Sequence, residues 1–262
     1  MRSSLFTIIA LSVFILFTYS HETRMVKDEW LDEPLSVAAI YDSASVWVDS
    51  VYSSLSNREK IAQLFWLTVD PVDDRLAYNK IRDLIEDYQP GGVLFLSIKA
   101  ERLVEAINDL QSVSKLPLLV SLDAEHGVAM RIKEAVEFPR AMTLGAIRND
   151  TLIYEMGLEI ARQFAILGLH VNMAPVADVN NNPANPVIGM RSFGEDPANV
   201  SRKSVAYMQG LQDGGIMAVG KHFPGHGDTD TDSHLALPLV NHSREQLDSA
   251  DLVPFRALIE AG

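Results

Sequence analysis

The chain has 262 residues, no cysteine and a formal net charge of −13, because 35 aspartates and glutamates outnumber 22 lysines and arginines. Nucleic-acid affinity depends mainly on basic side chains that neutralise phosphates, so this charge balance argues against a nucleic-acid partner. The lack of cysteine excludes a disulfide framework, a cysteine-ligated zinc and a thiolate nucleophile. A composition that is 47% hydrophobic and 22% charged is typical of a globular protein.

The first 20 residues are organised like a secretory signal peptide. Arg2 precedes an uncharged apolar run over residues 5–17, and Thr18, Tyr19 and Ser20 follow it. This order is typical of export signals, and the run is short for a bilayer span of about 20 residues. We expect cleavage near Ser20 and an exported protein, periplasmic or extracellular, without stable membrane insertion after cleavage. A retained membrane anchor is the alternative.

Residues 21–55 are interpreted as an acidic leader. Within it, four apolar residues at helical spacing predict one helix: Val46, Trp47, Val51 and Leu55. Residues 56–59 then form a capping box, in which the Ser56 hydroxyl and the Glu59 carboxylate each accept a backbone N–H at the start of a helix. The regular domain is therefore predicted to span residues 56–262.

Apolar runs and helical patterns alternate within this domain. Five apolar runs without strict polar alternation predict strands buried on both faces: residues 64–69, 92–96, 116–122, 170–176 and 216–219. Four segments between them have helical spacing: residues 76–88, 102–113, 152–167 and 199–211. Strands that alternate with helices are joined by crossovers and pair in parallel, so the sequence predicts an α/β fold.

Polar side chains follow the predicted strands, among them Asp70, Asp123, Asp178 and Lys221. Neither a Gly-x-Gly-x-x-Gly motif nor a Walker sequence follows the first strand, so a nucleotide cradle is not supported. Chemistry at the carboxyl ends of the strands is typical of a TIM-type (β/α) barrel, which is the predicted fold. Asp178 is assigned a structural role.

The predicted barrel is present only in part. Eight strands close such a barrel, and this sequence supplies about five of the eight strand–helix units before a last predicted helix over residues 252–260. An open arc of strands exposes an unpaired edge. We therefore expect the domain to be truncated at its C-terminus, with the remaining strands missing.

Residues 221–234 contain the highest density of chemically active side chains. Asp228, Asp230 and Asp232 alternate as in a calcium loop, but the sixth and twelfth positions hold Ser233 and Leu239 in place of the required Gly and Glu. A zinc site built from the three histidines of this segment, at positions 222, 226 and 234, lacks the His-Glu-x-x-His spacing. A solvated loop with aspartate-capped turns accounts for the Asp and Gly content but not for the histidines and the lysine.

Acid–base catalysis by Asp232 and His234 is the preferred interpretation. In an extended segment, residues two apart project to the same side. The Asp232 carboxylate can then accept from one ring nitrogen of His234, while the other faces the substrate. An imidazole has a reference pKa of about 6.5, which suits a group that first donates a proton and later removes one.

Three motifs resemble glycoside hydrolase family 3, in particular its β-N-acetylglucosaminidase (β-N-acetylhexosaminidase) branch. Residues 221–234 are similar to the family's Lys-His-Phe-Pro-Gly-His-Gly segment followed by Asp-Ser-His. Residues 122–131 are similar to its Asp-x-Glu-Gly-Gly-x-x-x-Arg segment, although His126 stands where the family usually has Gly, and residues 188–194 are similar to its Arg-Ser-Phe-Gly segment. The resemblance covers the chain from about Ser56 to its end.

The resemblance implies a role for each matched residue. Asp123, Arg131, Arg191, Lys221 and His222 would bind the terminal sugar. Asp232 and His234 would form the acid/base dyad of a retaining hydrolase, which works through a covalent glycosyl–enzyme ester. The family's nucleophile is an Asp at the end of a later strand, beyond Gly262, so the fragment is expected to be inactive.

The expected substrate is an oligosaccharide of cell-wall or chitin type with a terminal β-linked N-acetylglucosamine, and no metal or other cofactor is implied. Two alternatives stay open. One is a phosphorylase on the same barrel, since a histidine in place of a carboxylate removes one repulsion against phosphate. The other is a non-catalytic sugar-binding module.

Overall fold

The computed structural model of the chain describes residues 45–70, 74–96, 98–230, 237–240 and 242–262. The predicted signal peptide and most of the predicted leader lie outside these ranges, as do Asp232 and His234. Within these ranges, no helix combines the length and the apolar character that a bilayer crossing requires.

Strands and helices alternate along the described chain as the sequence predicts. The strands are β1 (Trp66–Val69), β2 (Gly92–Phe95), β3 (Leu119–Leu122), β4 (Val171–Asn172) and β5 (Met217–Ala218). The helices are α1 (Ser45–Ser54), α2 (Asn57–Ala62), α3 (Arg75–Tyr88), α4 (Ala100–Val113), α5 (Ala141–Gly145), α6 (Thr151–Leu167), α7 (Pro197–Asp213), α8 (Arg244–Gln246) and α9 (Val253–Ala261). A π-helical turn, Leu247–Asp251, joins α8 to α9.

Local capping explains where several helices begin and end. Ser56 and Glu59 form the predicted capping box at α2, with the Ser56 N–H donating to Glu59 Oε2 at 2.9 Å. Asp196 caps the first turn of α7 ahead of Pro197, whose fixed φ suits the first helical position. Gly168 ends α6 at a φ of 74°, a conformation that glycine adopts without steric cost.

The five strands form one parallel sheet in the order β1-β2-β3-β4-β5. In register, Gly92 of β2 lies between Trp66 of β1 and Leu119 of β3, and Val171 of β4 lies opposite Met217 of β5. Each strand therefore pairs with its predecessor in sequence, as in a β/α barrel. This arrangement confirms the predicted α/β fold with parallel strands and brings the carboxyl ends of all five strands to one edge.

Helices α6 and α7 pack closely against each other and against the sheet. A Cβ on Gly157 would lie 2.6 Å from the carbonyl oxygen of Tyr207, and one on Gly210 would lie 2.2 Å from that of Tyr154. Glycine at these two positions lets the helix backbones approach. The core between helices and sheet is apolar and fully buried, with Phe95, Leu103, Leu122, Ile160, Phe164 and Leu211 among its members.

The structure differs from the strand predictions in strand length and in burial. The run 170–176 forms only the two-residue β4, because the Ala174 N–H donates back to Asn172 O at 2.8 Å and Pro175 has no N–H for the ladder. Pairing resumes beyond it with a bridge between Val176 and Lys221. Burial on both faces holds for β2 and β4. It does not hold for β1 and β5, where Thr68 and Met217 are exposed at the edges of the described sheet, nor for the first residue of β3, Leu119, which is also exposed.

Candidate active site

A network of charged side chains lies at the carboxyl edge of the sheet. Asp123 directly follows β3, Asp178 follows the short β4, and Lys221 and His222 follow β5. Backbone hydrogen bonds fix the position of Lys221, since its N–H donates to Pro175 O at 3.0 Å and its carbonyl oxygen accepts from Ala177 N at 2.6 Å. The parallel sheet thus brings together residues that are far apart in sequence.

The Asp123 carboxylate joins two of the predicted sugar-binding cations. Its Oδ1 accepts from Lys221 Nζ at 2.6 Å, and its Oδ2 accepts from Arg131 Nη2 at 2.9 Å. Arg131 Nε also donates to the Asp123 backbone oxygen at 2.7 Å, which fixes the plane of the guanidinium. About a fifth of the Asp123 side chain is exposed (21%), so this charged cluster faces solvent.

Glu125 links Arg191, another predicted sugar-binding residue, to the same cluster. Its two oxygens accept from Arg191 Nη2 at 2.6 Å and from Arg191 Nε at 2.9 Å, a bidentate pair. Lys221 Nζ lies 2.9 Å from Glu125 Oε1 as well, so this lysine bridges both carboxylates. The Glu125 side chain is only 7% exposed.

Asp178 anchors the segment that carries His222. Its fully buried carboxylate accepts from the His222 N–H at 3.2 Å and from the His226 N–H at 2.7 Å, and it lies 2.6 Å from His222 Nδ1. The other ring nitrogen of His222 lies 3.2 Å from Arg191 Nη2. The ring is therefore held between a buried carboxylate and a guanidinium, and a third of it is exposed (35%).

The electrostatics of this network favour the ionised forms of Glu125 and Arg191. Burial raises the pKa of the Glu125 carboxyl, but the hydrogen bonds from Arg191 and the charge of Lys221 outweigh burial and hold this pKa at about 2. The hydrogen bond to Glu125 likewise raises the pKa of the Arg191 guanidinium. The network therefore combines three cations with the carboxylates of Asp123 and Glu125 in fixed positions.

All five predicted sugar-binding residues thus lie in one connected network: Asp123, Arg131, Arg191, Lys221 and His222. Glu125 was not among the predicted site residues, although its position two residues after Asp123, at a strand end, was the available signal. Asp178 was expected to be structural, and its buried carboxylate does hold the backbone of this loop. The contact of Asp178 with His222 also links it to the network.

The predicted dyad, Asp232 and His234, lies outside the described residues, so its roles stay predictions. Of the other histidines in this segment, His222 and His226 have ring centroids 6.1 Å apart in an edge-to-face arrangement. In the described part of the chain, no three His, Cys, Asp or Glu side chains are grouped so that they could hold a metal ion.

Comparison with known proteins identifies the family. Residues 56–262 match the family model described as the glycosyl hydrolase family 3 N-terminal domain. A β-hexosaminidase A of Pseudoalteromonas piscicida is 37% identical over 195 residues, an alignment that covers 70% of this chain and 33% of that protein.

Two solved structures are similar as well. A family 3 β-N-acetylglucosaminidase from Paenibacillus is 37% identical with a TM-score of 0.74, over 80% of this chain and 41% of that one. The β-glucoside phosphorylase BglX is 28% identical with a TM-score of 0.78, over 88% of this chain and 42% of that one. This chain thus spans about a third of the length of the curated relative and about two fifths of each structure. The chain belongs to glycoside hydrolase family 3, and the matched residues correspond to the N-terminal domain of that family.

Proposed function

We propose that the protein is an exported, retaining β-N-acetylhexosaminidase that removes terminal β-linked N-acetylglucosamine from cell-wall or chitin-type oligosaccharides. The observation that carries the proposal is the network of Asp123, Glu125, Arg191, Lys221 and His222 at the carboxyl edge of the sheet. The β-hexosaminidase and β-N-acetylglucosaminidase names of similar proteins support the same conclusion.

The network suits the recognition of a sugar. A sugar hydroxyl can donate to a carboxylate and accept from a cation, and the Asp123 carboxylate lies beside Lys221 and Arg131 with the three side chains partly exposed. Because these charges already hold one another in position, little side-chain entropy is lost when a sugar binds. We assign this surface to the hydroxyls of the terminal sugar.

The proposed reaction proceeds in two proton-coupled steps. In the first, His234 donates a proton to the glycosidic oxygen as the bond to the leaving sugar breaks and an aspartate nucleophile forms a glycosyl ester. In the second, His234 removes a proton from water, which attacks the ester and regenerates the free carboxylate. Asp232 orients the imidazole and stabilises its protonated form. By resemblance, the nucleophile belongs to a later strand of the barrel.

The dyad assignment is tested with His234→Ala in the full-length protein. An aryl β-N-acetylglucosaminide serves as substrate, and kcat should fall by about 100-fold or more, since general acid–base catalysis contributes about 10²–10⁴-fold. Asp123→Asn provides the comparison, because loss of a sugar contact should raise KM. Unaltered turnover by His234→Ala would refute the dyad assignment. The predicted cleavage site is tested separately, because an N-terminus before Ser20 in the secreted protein would refute it.

A phosphorylase is the second candidate, supported by the similarity to the β-glucoside phosphorylase BglX. A phosphorylase transfers the sugar to phosphate and releases a sugar phosphate, whereas a hydrolase releases the free sugar. Product analysis with and without inorganic phosphate distinguishes the two. Formation of N-acetylglucosamine phosphate that depends on phosphate concentration would favour the phosphorylase.

A further inference from the structure

His242 lies between two aspartates outside the sugar-binding network. Its Nδ1 is 2.6 Å from Asp251 Oδ2, and its Nε2 contacts Asp228 Oδ2. The His242 ring is mostly buried and the Asp251 carboxylate is almost completely buried, whereas Asp228 is partly exposed. Both ring nitrogens therefore face carboxylate oxygens.

This arrangement requires a protonated ring. A neutral imidazole has one N–H and one lone pair, so only an imidazolium can donate to both aspartates. The hydrogen bonds to Asp228 and Asp251 accordingly raise the pKa of His242 above its usual range. The charged bridge is lost as the pH rises past that raised pKa.

The described titratable groups around His242 are acidic. Asp230 lines the same cavity of about 220 Å³ as Asp228, His242 and Asp251. Asp248 belongs to the same π-helical turn as Asp251 and is engaged by Arg244 and Arg256. Within the described residues, none of the groups lining this cavity is a competing cation, so the environment favours the charged ring.

The bridge connects three parts of the chain. Asp228 follows the loop that begins with Lys221 and His222, and His242 stands 14 residues further on. Asp251 packs against that loop, since a Cβ on Gly225 would lie 2.8 Å from Asp251 Cβ. The aromatic rings of Phe223 and Phe255 also meet edge to face, with centroids 5.4 Å apart, and attach α9 to the loop.

We propose that His242 is a positioning residue, whose bridge to Asp228 and Asp251 holds the two described residues that flank positions 229–241, Asp228 and His242, at a fixed separation. The inference rests on the proposed function, because that segment contains the predicted dyad, Asp232 and His234. A proton donor must lie within about 3 Å of the oxygen that it protonates. A displacement of about 1 Å can cost roughly 100-fold in rate, so the separation of the segment ends affects catalysis directly.

The test compares His242→Ala and Asp228→Asn with wild type in the full-length protein, with Arg244→Ala as control. Arg244 lies near His242 in sequence but forms an exposed ion pair with Asp248, so its loss should leave kinetics unchanged. Two aryl β-N-acetylglucosaminides serve as substrates, a dinitrophenyl one that needs little acid assistance and a phenyl one that needs much. A mispositioned dyad should lower kcat for the phenyl substrate about tenfold or more and change KM less than threefold.

Azide provides a second readout. It attacks the glycosyl ester without losing a proton, so a carbon–nitrogen bond forms, the ester bond breaks and the nucleophile carboxylate is released with no base required. With the dinitrophenyl substrate, azide should therefore raise kcat of His242→Ala and Asp228→Asn but not of wild type or Arg244→Ala. A variant that is merely less stable would show neither the leaving-group dependence nor the azide response.

His234→Ala in the same assays separates this inference from the proposed function. If His234→Ala is impaired while His242→Ala and Asp228→Asn behave like wild type, the positioning role is overturned and the dyad stands. If His234→Ala is unimpaired, both are overturned. If His242→Ala does not fold, Asp228→Asn decides, since Asp228 is partly exposed, and wild-type kinetics for that variant would overturn the positioning role.

Discussion

The buried ion pair between Glu125 and Arg191 allows a quantitative prediction of the stability lost when one partner is neutralised. Glu125→Gln removes the negative charge and turns an amide N–H₂ towards Arg191 or Lys221, while both cations stay in place. Removing one partner of a buried ion pair costs about 3–5 kcal/mol, because the remaining charge is left uncompensated. The prediction is therefore a large loss of stability from a nearly isosteric change.

The pKa of Glu125 gives a second route to the magnitude. The pKa falls from its ordinary 4.5 to about 2, and each unit corresponds to about 1.4 kcal/mol, so the ionised form is favoured by about 3 kcal/mol. For a chain of this size, we expect a Tm that is roughly 6–12 °C lower. A lowered pKa stabilises the fold above pH 4.5, and this contribution is lost as the pH falls from 4.5 towards 2.

Glu159 provides a matched control. Hydrogen bonds from Arg162 and Gln163 also lower its pKa to about 2, and Arg162 binds it bidentately with two bonds of 2.7 Å. The Glu159 side chain is 39% exposed, however, and exposed ion pairs contribute only about 0–1 kcal/mol. Glu159→Gln should therefore cost less than about 1 kcal/mol.

Urea denaturation of wild type and both variants at pH 7 and at pH 3.5 measures these differences. The free energy of unfolding of Glu125→Gln should be about 3 kcal/mol below that of wild type at pH 7, and this difference should be smaller at pH 3.5. Equal destabilisation by the Glu125 and Glu159 variants would refute the argument from burial. A gap that does not change with pH would refute the assignment of the effect to ionisation.

Four further substitutions, one of them a comparison, test the site and its support. Gly227→Ala places a Cβ 1.7 Å from Val179 O and should lower the free energy of unfolding by about 3 kcal/mol or more. Gly215→Ala meets only open space, at a φ of +81°, and should lower it by about 1–2 kcal/mol. Urea denaturation compares the two variants, and equal losses would contradict the clash at Gly227. Asp178→Asn removes a buried charged acceptor and should lower stability by about 2–3 kcal/mol, which thermal denaturation measures. Arg191→Lys cannot reproduce the two parallel bonds to its carboxylate partner and should raise KM for an aryl β-N-acetylglucosaminide about tenfold, whereas an unchanged KM would separate this guanidinium from sugar binding.

The sequence predicts the order and type of the main elements because hydrophobic periodicity is a local property. Helices over residues 76–88 and 152–167 correspond closely to Arg75–Tyr88 and Thr151–Leu167. Strand lengths are less predictable, since they depend on pairing. The run 116–122 is apolar except for Ser121, yet the strand begins only at Leu119, two residues after Pro117, because proline cannot donate to a ladder.

The charged network was only partly predictable. Each predicted sugar-binding residue lies in a short motif, and parallel strands guarantee that their carboxyl ends meet at one edge. The ion pairs within the network join residues that are far apart in sequence. Arg191 and Glu125 are separated by 66 positions, and Lys221 and Asp123 by 98. No local pattern indicates which carboxylate each cation selects, so the role of Glu125 required the structure.

The consecutive order of the strands also affects how the chain acquires its structure. Each described strand after β1 pairs with the strand one strand–helix unit earlier in the sequence, so each pairing joins residues 26–50 positions apart and none spans several units. During synthesis, each unit that leaves the ribosome meets a neighbour that has already emerged. The sheet can therefore grow cotranslationally from β1 to β5, with each new strand covering the exposed edge of the strand before it.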